Sequence, residues 1–143
     1  MRDSTFRFGS GIHRLLYRAS GGILLSRAYG ISILLLTVTG RKTEKKRTVP
    51  LLYFDNGDNI VVVASKGGSP NHPEWYLNSV SNPEVTIQIR RKRIEMQAVT
   101  ATPDERAKLW PHIVKMYNGY ERYQRKTKRE IPLVILSRRT GMA

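Results

Sequence analysis

Turn signals cut this chain into apolar runs that are too short for core helices. Ser32 to Thr39 is one such run, Thr48 to Phe54 a second, and Asn59 to Ser65 a Val-rich third, predicting a strand buried on both faces. Asp55-Asn56-Gly57-Asp58 links the last two, and Asn and Gly tolerate the positive φ that a tight hairpin needs. Val85, Ile87 and Ile89 alternate with polar residues, and Ile94, Met96 and Ala98 do so with the opposite parity. Arg90-Arg91-Lys92-Arg93 stands where the parity changes, which predicts a hairpin with a basic tip. Ile131 to Ser137 ends the series. About six strands joined by hairpin-type links bury their edges by closing on themselves. The predicted class is therefore α+β with a mainly antiparallel, barrel-like sheet.

Helices fill the gaps between these runs. His72-Pro73-Glu74 opens a short helix that stops at Asn82-Pro83. Thr102-Pro103-Asp104-Glu105 is a capping box, and the helix it opens is predicted to present Ala107, Trp110, Val114 and Tyr117 on one face before ending near Asn118-Gly119. A second short helical piece carries Tyr120 and Tyr123. Near the N-terminus, Ile12, Leu15, Leu16, Ala19 and Ile23 recur at helical spacing, with His13, Arg14 and Arg18 on other faces. This predicts an amphipathic segment over residues 1–30 preceding one domain over 31–143. Packing on the domain's own core is the simpler role for such a segment; lying on a membrane or covering a pocket is the other. Arg27 and the shortness of Ile31 to Leu36 argue against a removed signal or a spanning helix.

Lys and Arg number 25 against 11 Asp and Glu, a net charge of +14. That excess attracts something anionic: a phosphorylated cofactor, a nucleic acid or an acidic membrane surface. The lack of cysteine excludes disulfides and thiolate metal sites and suits a reducing cytoplasm. No metal site is expected, because His13, His72 and His112 lack paired spacing and acidic company. Neither a nucleophile elbow nor a Walker or dinucleotide glycine pattern occurs.

What remains is a set of binding elements. Arg41, Lys42 and Arg47 flank a cationic hinge between two apolar runs, where converging cations and backbone N–H groups anchor an anion. A solvated basic hairpin explains that segment equally well. Ser65 and Lys66 end the Val-rich run beside the Gly67-Gly68 pair. Trp75, Tyr76 and Asn78 share the next helix, and Tyr117, Tyr120 and Tyr123 are phenols spaced by three. Apolar walls, a few polar fixers and cations at one end suit a flat aromatic ligand with an anionic tail. Core packing is the competing account of Trp75 and Trp110, and is preferred for Trp110. An amphipathic helix face serves equally for the tyrosines.

Several ordered segments resemble the deazaflavin-dependent nitroreductase family. They are Leu36-Thr37-Val38-Thr39-Gly40-Arg41-Lys42-Thr43, Arg47, Pro50-Leu51-Leu52-Tyr53 and Val63-Ala64-Ser65-Lys66-Gly67-Gly68. His72-Pro73-Glu74-Trp75-Tyr76-Leu77-Asn78, Asn82-Pro83-Glu84-Val85, Tyr117-Asn118-Gly119-Tyr120-Glu121-Arg122-Tyr123 and Arg129-Glu130-Ile131-Pro132 continue the likeness. The resemblance implies a split β-barrel and coenzyme F420, a deazaflavin with a phosphodiester and an oligoglutamate tail.

It implies further that Arg41, Lys42, Thr43 and Arg47 hold the phosphate and tail, while Thr48, Val49, Pro50, Leu51 and Leu52 run beside the deazaflavin. Val63, Ala64, Ser65 and Lys66 would form the next wall, closed by Glu74, Trp75, Tyr76, Leu77 and Asn78. Tyr120 would face the reactive ring, with Tyr117 and Tyr123 around the acceptor, and Tyr120 or Ser65 would donate to the acceptor oxygen. Glu44 and Lys46 stand where relatives often carry Gly and Pro. The implied reaction reduces an electron-poor acceptor (a quinone, an activated enone or a nitroaromatic) in the cytoplasm, with residues 1–30 as a candidate peripheral contact at the inner face of the membrane. FMN on the same barrel is one rival. Non-catalytic binding to nucleic acid or to a membrane surface is another, and the aromatics do not alternate with the basic runs as RNA recognition requires.

Overall fold

The computed structural model describes residues 32–139, so the amphipathic segment expected over residues 1–30 lies outside the described residues. Six strands form a closed barrel in the order β1-β2-β3-β6-β5-β4: β1 Ser32–Thr39, β2 Lys46–Asn56, β3 Asn59–Val63, β4 Glu84–Ile89, β5 Lys92–Thr100 and β6 Leu133–Arg138. Every pairing is antiparallel. Both expected hairpins form, with Gly57 (φ 69°) at one tip and Arg90 (φ 57°) at the other. Helices α1 (Glu74–Ser81), α2 (Pro103–Met116) and α3 (Gly119–Arg125) lie between strands, and a 3₁₀ turn, Lys66–Gly68, follows β3.

Side chains alternate across each strand, so the barrel builds two cores. Leu34, Leu36, Val38, Val62, Ala64, Val85, Ile87, Met96, Ala98, Val134 and Leu136 fill the interior, and Trp75 of α1 plugs one end. Each fully buried aliphatic side chain stabilises the fold by about 1.5–3 kcal/mol. Outside, Phe54, Val61, Val63 and Leu133 meet Ile113 of α2, Tyr120 of α3 and Ile131.

The capping box closes as expected: the Glu105 N–H donates to Thr102 Oγ1 at 3.2 Å and the Thr102 N–H to Glu105 Oε1 at 2.8 Å. The buried stripe of α2 differs from the expected one. Ile113 is its buried residue, flanked by half-buried Leu109, Trp110 and Tyr117, while Ala107 is exposed. Arg106 occupies the place given to Ala107: its guanidinium lies 4.3 Å over the Trp110 ring, and its Nε donates to the Ile131 carbonyl at 3.0 Å. A long amphipathic side chain can cover apolar surface while its head is hydrogen-bonded, which a binary apolar pattern cannot register.

Candidate functional site

The hinge between β1 and β2 is a compact loop. Gly40 N–H donates to the Lys45 carbonyl at 2.8 Å and Glu44 N–H to the Gly40 carbonyl at 2.8 Å. Glu44 sits at φ 61°, a conformation that glycine adopts without strain. Arg41 latches this loop to α1. Its amide and Nη1 both donate to Asn78 Oδ1, at 3.0 and 2.8 Å, and Nη1 also donates to Glu74 Oε2 at 2.7 Å. Asn78 is buried, so its carbonyl oxygen needs these donors.

The Arg41 hydrogen bond and charge hold the exposed Glu74 carboxyl below the usual carboxylate range, and Lys42 and Lys66 add to the effect. The hinge and the end of β3 therefore share one electrostatic neighbourhood, where three cations face one carboxylate. Thr43 Oγ1 accepts from the Lys45 N–H at 3.3 Å. Arg47, on β2 opposite Val38, is exposed and is not among the cations acting on Glu74.

β2 cannot offer five consecutive side chains to one ligand. Val49 and Leu51 pack toward the barrel interior, whereas Leu52 belongs to the outer cluster. Thr48 shares the outer face, its Oγ1 2.7 Å from Thr37 Oγ1, and by alternation so does Pro50. Val63 faces the outer cluster and Ala64 the interior. On α1, Trp75 is 7% exposed and packed in the barrel core. Tyr76 and Leu77 are half-buried, and the Tyr76 hydroxyl lies 2.9 Å from Thr100 Oγ1.

After β3, Lys66, Gly67 and Gly68 all have positive φ (45°, 63° and 85°). Gly68 is buried against α3, where an added Cβ would lie 2.6 Å from the Tyr123 carbonyl oxygen. The three phenols do converge. Tyr117 and Tyr120 ring centroids are 5.0 Å apart, Tyr120 and Tyr123 6.0 Å, and the Tyr117 and Tyr123 hydroxyls 3.3 Å. They come from two helices rather than one face, because Tyr117 ends α2 in an extended conformation and α3 begins afresh at Gly119. Tyr120 is 5% exposed and packs edge-on against Phe54 at 6.0 Å. Burial, then the neighbouring Tyr117 and Tyr123, push its phenol far above the usual range, so it stays protonated at neutral pH.

Arg129 is a residue whose role sequence reasoning missed. It was visible only as the first letter of the Arg129-Glu130-Ile131-Pro132 motif, yet it binds the loop after β3 through three carbonyls, those of Ala64, Ser65 and Ser69. A cavity of about 280 Å³ lies elsewhere, between the end of α1 and β5, lined by residues such as Val80, Pro83 and Val99 and by none of the expected site residues. Among the described residues no group of three His, Cys, Asp or Glu could hold a metal, and no helix is long and apolar enough to cross a membrane.

Comparison with known proteins identifies relatives of this chain. The family model described as F420H(2)-dependent quinone reductase matches residues 10–138. The F420H(2)-dependent quinone reductase Rv1261c of Mycobacterium tuberculosis is 41% identical over 133 residues, which is 90% of this chain and 89% of that protein. A solved structure described as an F420-H2 dependent reductase (FDR-A) is 42% identical, with a TM-score of 0.67 over 73% of this chain and 93% of its own. The heme storage protein HutZ of Vibrio cholerae, 15% identical over 76% of this chain and 82% of its own with a TM-score of 0.56, shares the fold.

Proposed function

Since this chain belongs to the F420H(2)-dependent quinone reductase family, we propose that the hinge, the outer face of β2 and the tyrosine cluster are the parts with which it works. The protein is an oxidoreductase that uses coenzyme F420, and its acceptor is a quinone. When bound, the reduced deazaflavin would supply a hydride, which carries both of the electrons that the acceptor takes up. The observation that carries the reading is the positive pole that Arg41, Lys42 and Lys66 form around Glu74, standing beside the left-handed Lys66–Gly68 turn at the end of β3. Such a pole fits a coenzyme whose tail is polyanionic.

Each residue then has a distinct task. Lys42 and Lys66 attract the phosphate and tail, with Thr43 and Arg47 at the margins of the same end. Arg41 acts mainly through Glu74 and Asn78, fixing where the hinge stands against α1. Thr48, Pro50 and Leu52 give the flat ring an outer wall, while Val49, Leu51, Val63, Ala64, Trp75, Tyr76 and Leu77 support that wall from within or behind. Tyr120 donates a hydrogen bond as negative charge grows on the acceptor oxygen, helped by Tyr117 and Tyr123, and Ser65 is a second donor. A domain over 31–143 accounts for these tasks. Residues 1–30 are left as the segment that covers the acceptor side or touches the membrane where a lipid-soluble quinone resides.

Titration of the purified protein with F420 and, in parallel, FMN tests the proposal through cofactor fluorescence. F420 is expected to bind more tightly, with affinity falling as salt rises. Equal or tighter binding of FMN would sink the assignment.

A further inference from the structure

Arg129 directs its whole guanidinium at one loop. Nε donates to the Ser69 carbonyl at 2.8 Å, Nη2 to the Ser65 carbonyl at 2.8 Å and Nη1 to the Ala64 carbonyl at 3.2 Å. Nη1 also lies 3.1 Å from His72 Nδ1, which must accept, since a guanidinium only donates. Burial, then the Arg129 charge, lower the His72 pKa, in keeping with a neutral ring. No carboxylate pairs with Arg129 among the described residues. Charge-assisted hydrogen bonds from one guanidinium to three carbonyls hold this loop firmly and also impose direction on it.

With the Ala64, Ser65 and Ser69 carbonyls engaged by Arg129, the amides of the loop remain to be accounted for. Gly68 N–H donates to the Ser65 carbonyl at 2.9 Å and Ser69 N–H to the Lys66 carbonyl at 3.1 Å. The N–H groups of Lys66 and Gly67 meet no acceptor among the described residues. Three successive left-handed residues align neighbouring N–H groups on one side, which makes a small concave donor for a negatively polarised oxygen. The backbone of Arg129 is itself fixed, because Gln124 Nε2 donates to its carbonyl at 2.7 Å while Gln124 Oε1 accepts from Arg106 Nη2 at 3.0 Å.

We propose that Arg129 is a positioning residue for the coenzyme: it holds the Ser65–Gly68 loop so that the Lys66 and Gly67 N–H groups receive an oxygen of the deazaflavin molecule. This rests on the functional reading above. The oxygen belongs to either a ring carbonyl or the tail phosphate, and both present the same acceptor chemistry.

The test uses the full chain and Arg129→Gln and Arg129→Lys variants checked for folding by circular dichroism. Folded Arg129→Gln is expected to raise the F420 Kd tenfold or more while the KM for a soluble quinone stays within twofold, with Arg129→Lys between it and the parent. A merely structural role would reduce the folded fraction and leave the Kd of the remaining molecules unchanged, and that result overturns the proposal. If Arg129→Gln does not fold, amide NMR of the unmodified protein decides. The Lys66 and Gly67 resonances must shift on saturation with F420, and unmoved resonances overturn the proposal. A tail-less deazaflavin separates the two oxygens: shifts with both molecules assign the ring carbonyl, and shifts with F420 alone assign the phosphate. Failure of the parent protein to bind F420 at all would instead overturn the functional reading, a separate result.

Discussion

Gly68 and Gly67 are adjacent, both have positive φ, and their replacement by alanine should have very different consequences. At Gly67 an added Cβ meets nothing within 4 Å, so Gly67→Ala carries only the strain of a left-handed backbone, about 1 kcal/mol. At Gly68 the same strain is joined by a Cβ 2.6 Å from the Tyr123 carbonyl oxygen and 3.0 Å from its Cα. Backbone atoms cannot rotate aside, so α3 would have to retreat by roughly half an ångström or more to regain ordinary contact. Overpacking of this kind costs about 1–3 kcal/mol, giving about 2–4 kcal/mol in all. For a domain of this size each kcal/mol lowers Tm by about 2–4 °C. Urea unfolding should show a midpoint loss for Gly68→Ala about two to four times that for Gly67→Ala, with unchanged slope. Because Tyr120 and Tyr123 ride on α3, Gly68→Ala should also raise the KM for the quinone, whereas Gly67→Ala should not. Equal destabilisation by the two variants would refute a tight loop–helix contact.

Removing the charge of Lys42 (Lys42→Ala) should weaken F420 binding severalfold at low salt, about 1 kcal/mol, and little at high salt, as fluorescence titration can measure. Tyr120→Phe should lower the single-turnover reduction rate more than cofactor affinity; parent-like transient rates would remove Tyr120 from its donor role. The lowered Glu74 pKa means that its pairing with Arg41 is complete above the ordinary carboxylate pKa and is lost as pH falls through the depressed value. Acid titration of stability should accordingly lose that component in Glu74→Gln, and an unchanged acid limb would contradict it. Glu44→Gly should stabilise the hinge by up to about 1 kcal/mol by relieving φ 61°, a gain that thermal unfolding would reveal.

The sequence by itself determined the strands and their hairpins, because alternation and turn chemistry act over a few neighbouring residues. Asn56-Gly57 marks a reversal by its own turn chemistry, the parity change across Arg90-Arg91 marks another, and the Thr102 capping box closes within one turn. It also supplied the family motifs, hence the coenzyme, and the candidate cations and phenols. Only the tertiary structure decided how those candidates divide. Closure of the barrel turned Val49 and Leu51 inward and Leu52 outward, and set Trp75 as a plug rather than an open wall. It turned Arg41 onto Glu74 and Asn78, contacts 33 and 37 residues away, and Arg129 onto carbonyls 60 to 65 residues away. Such pairings leave no local trace, since a guanidinium reads as surface charge until folding fixes which carbonyls and carboxylates lie within about 3 Å of it.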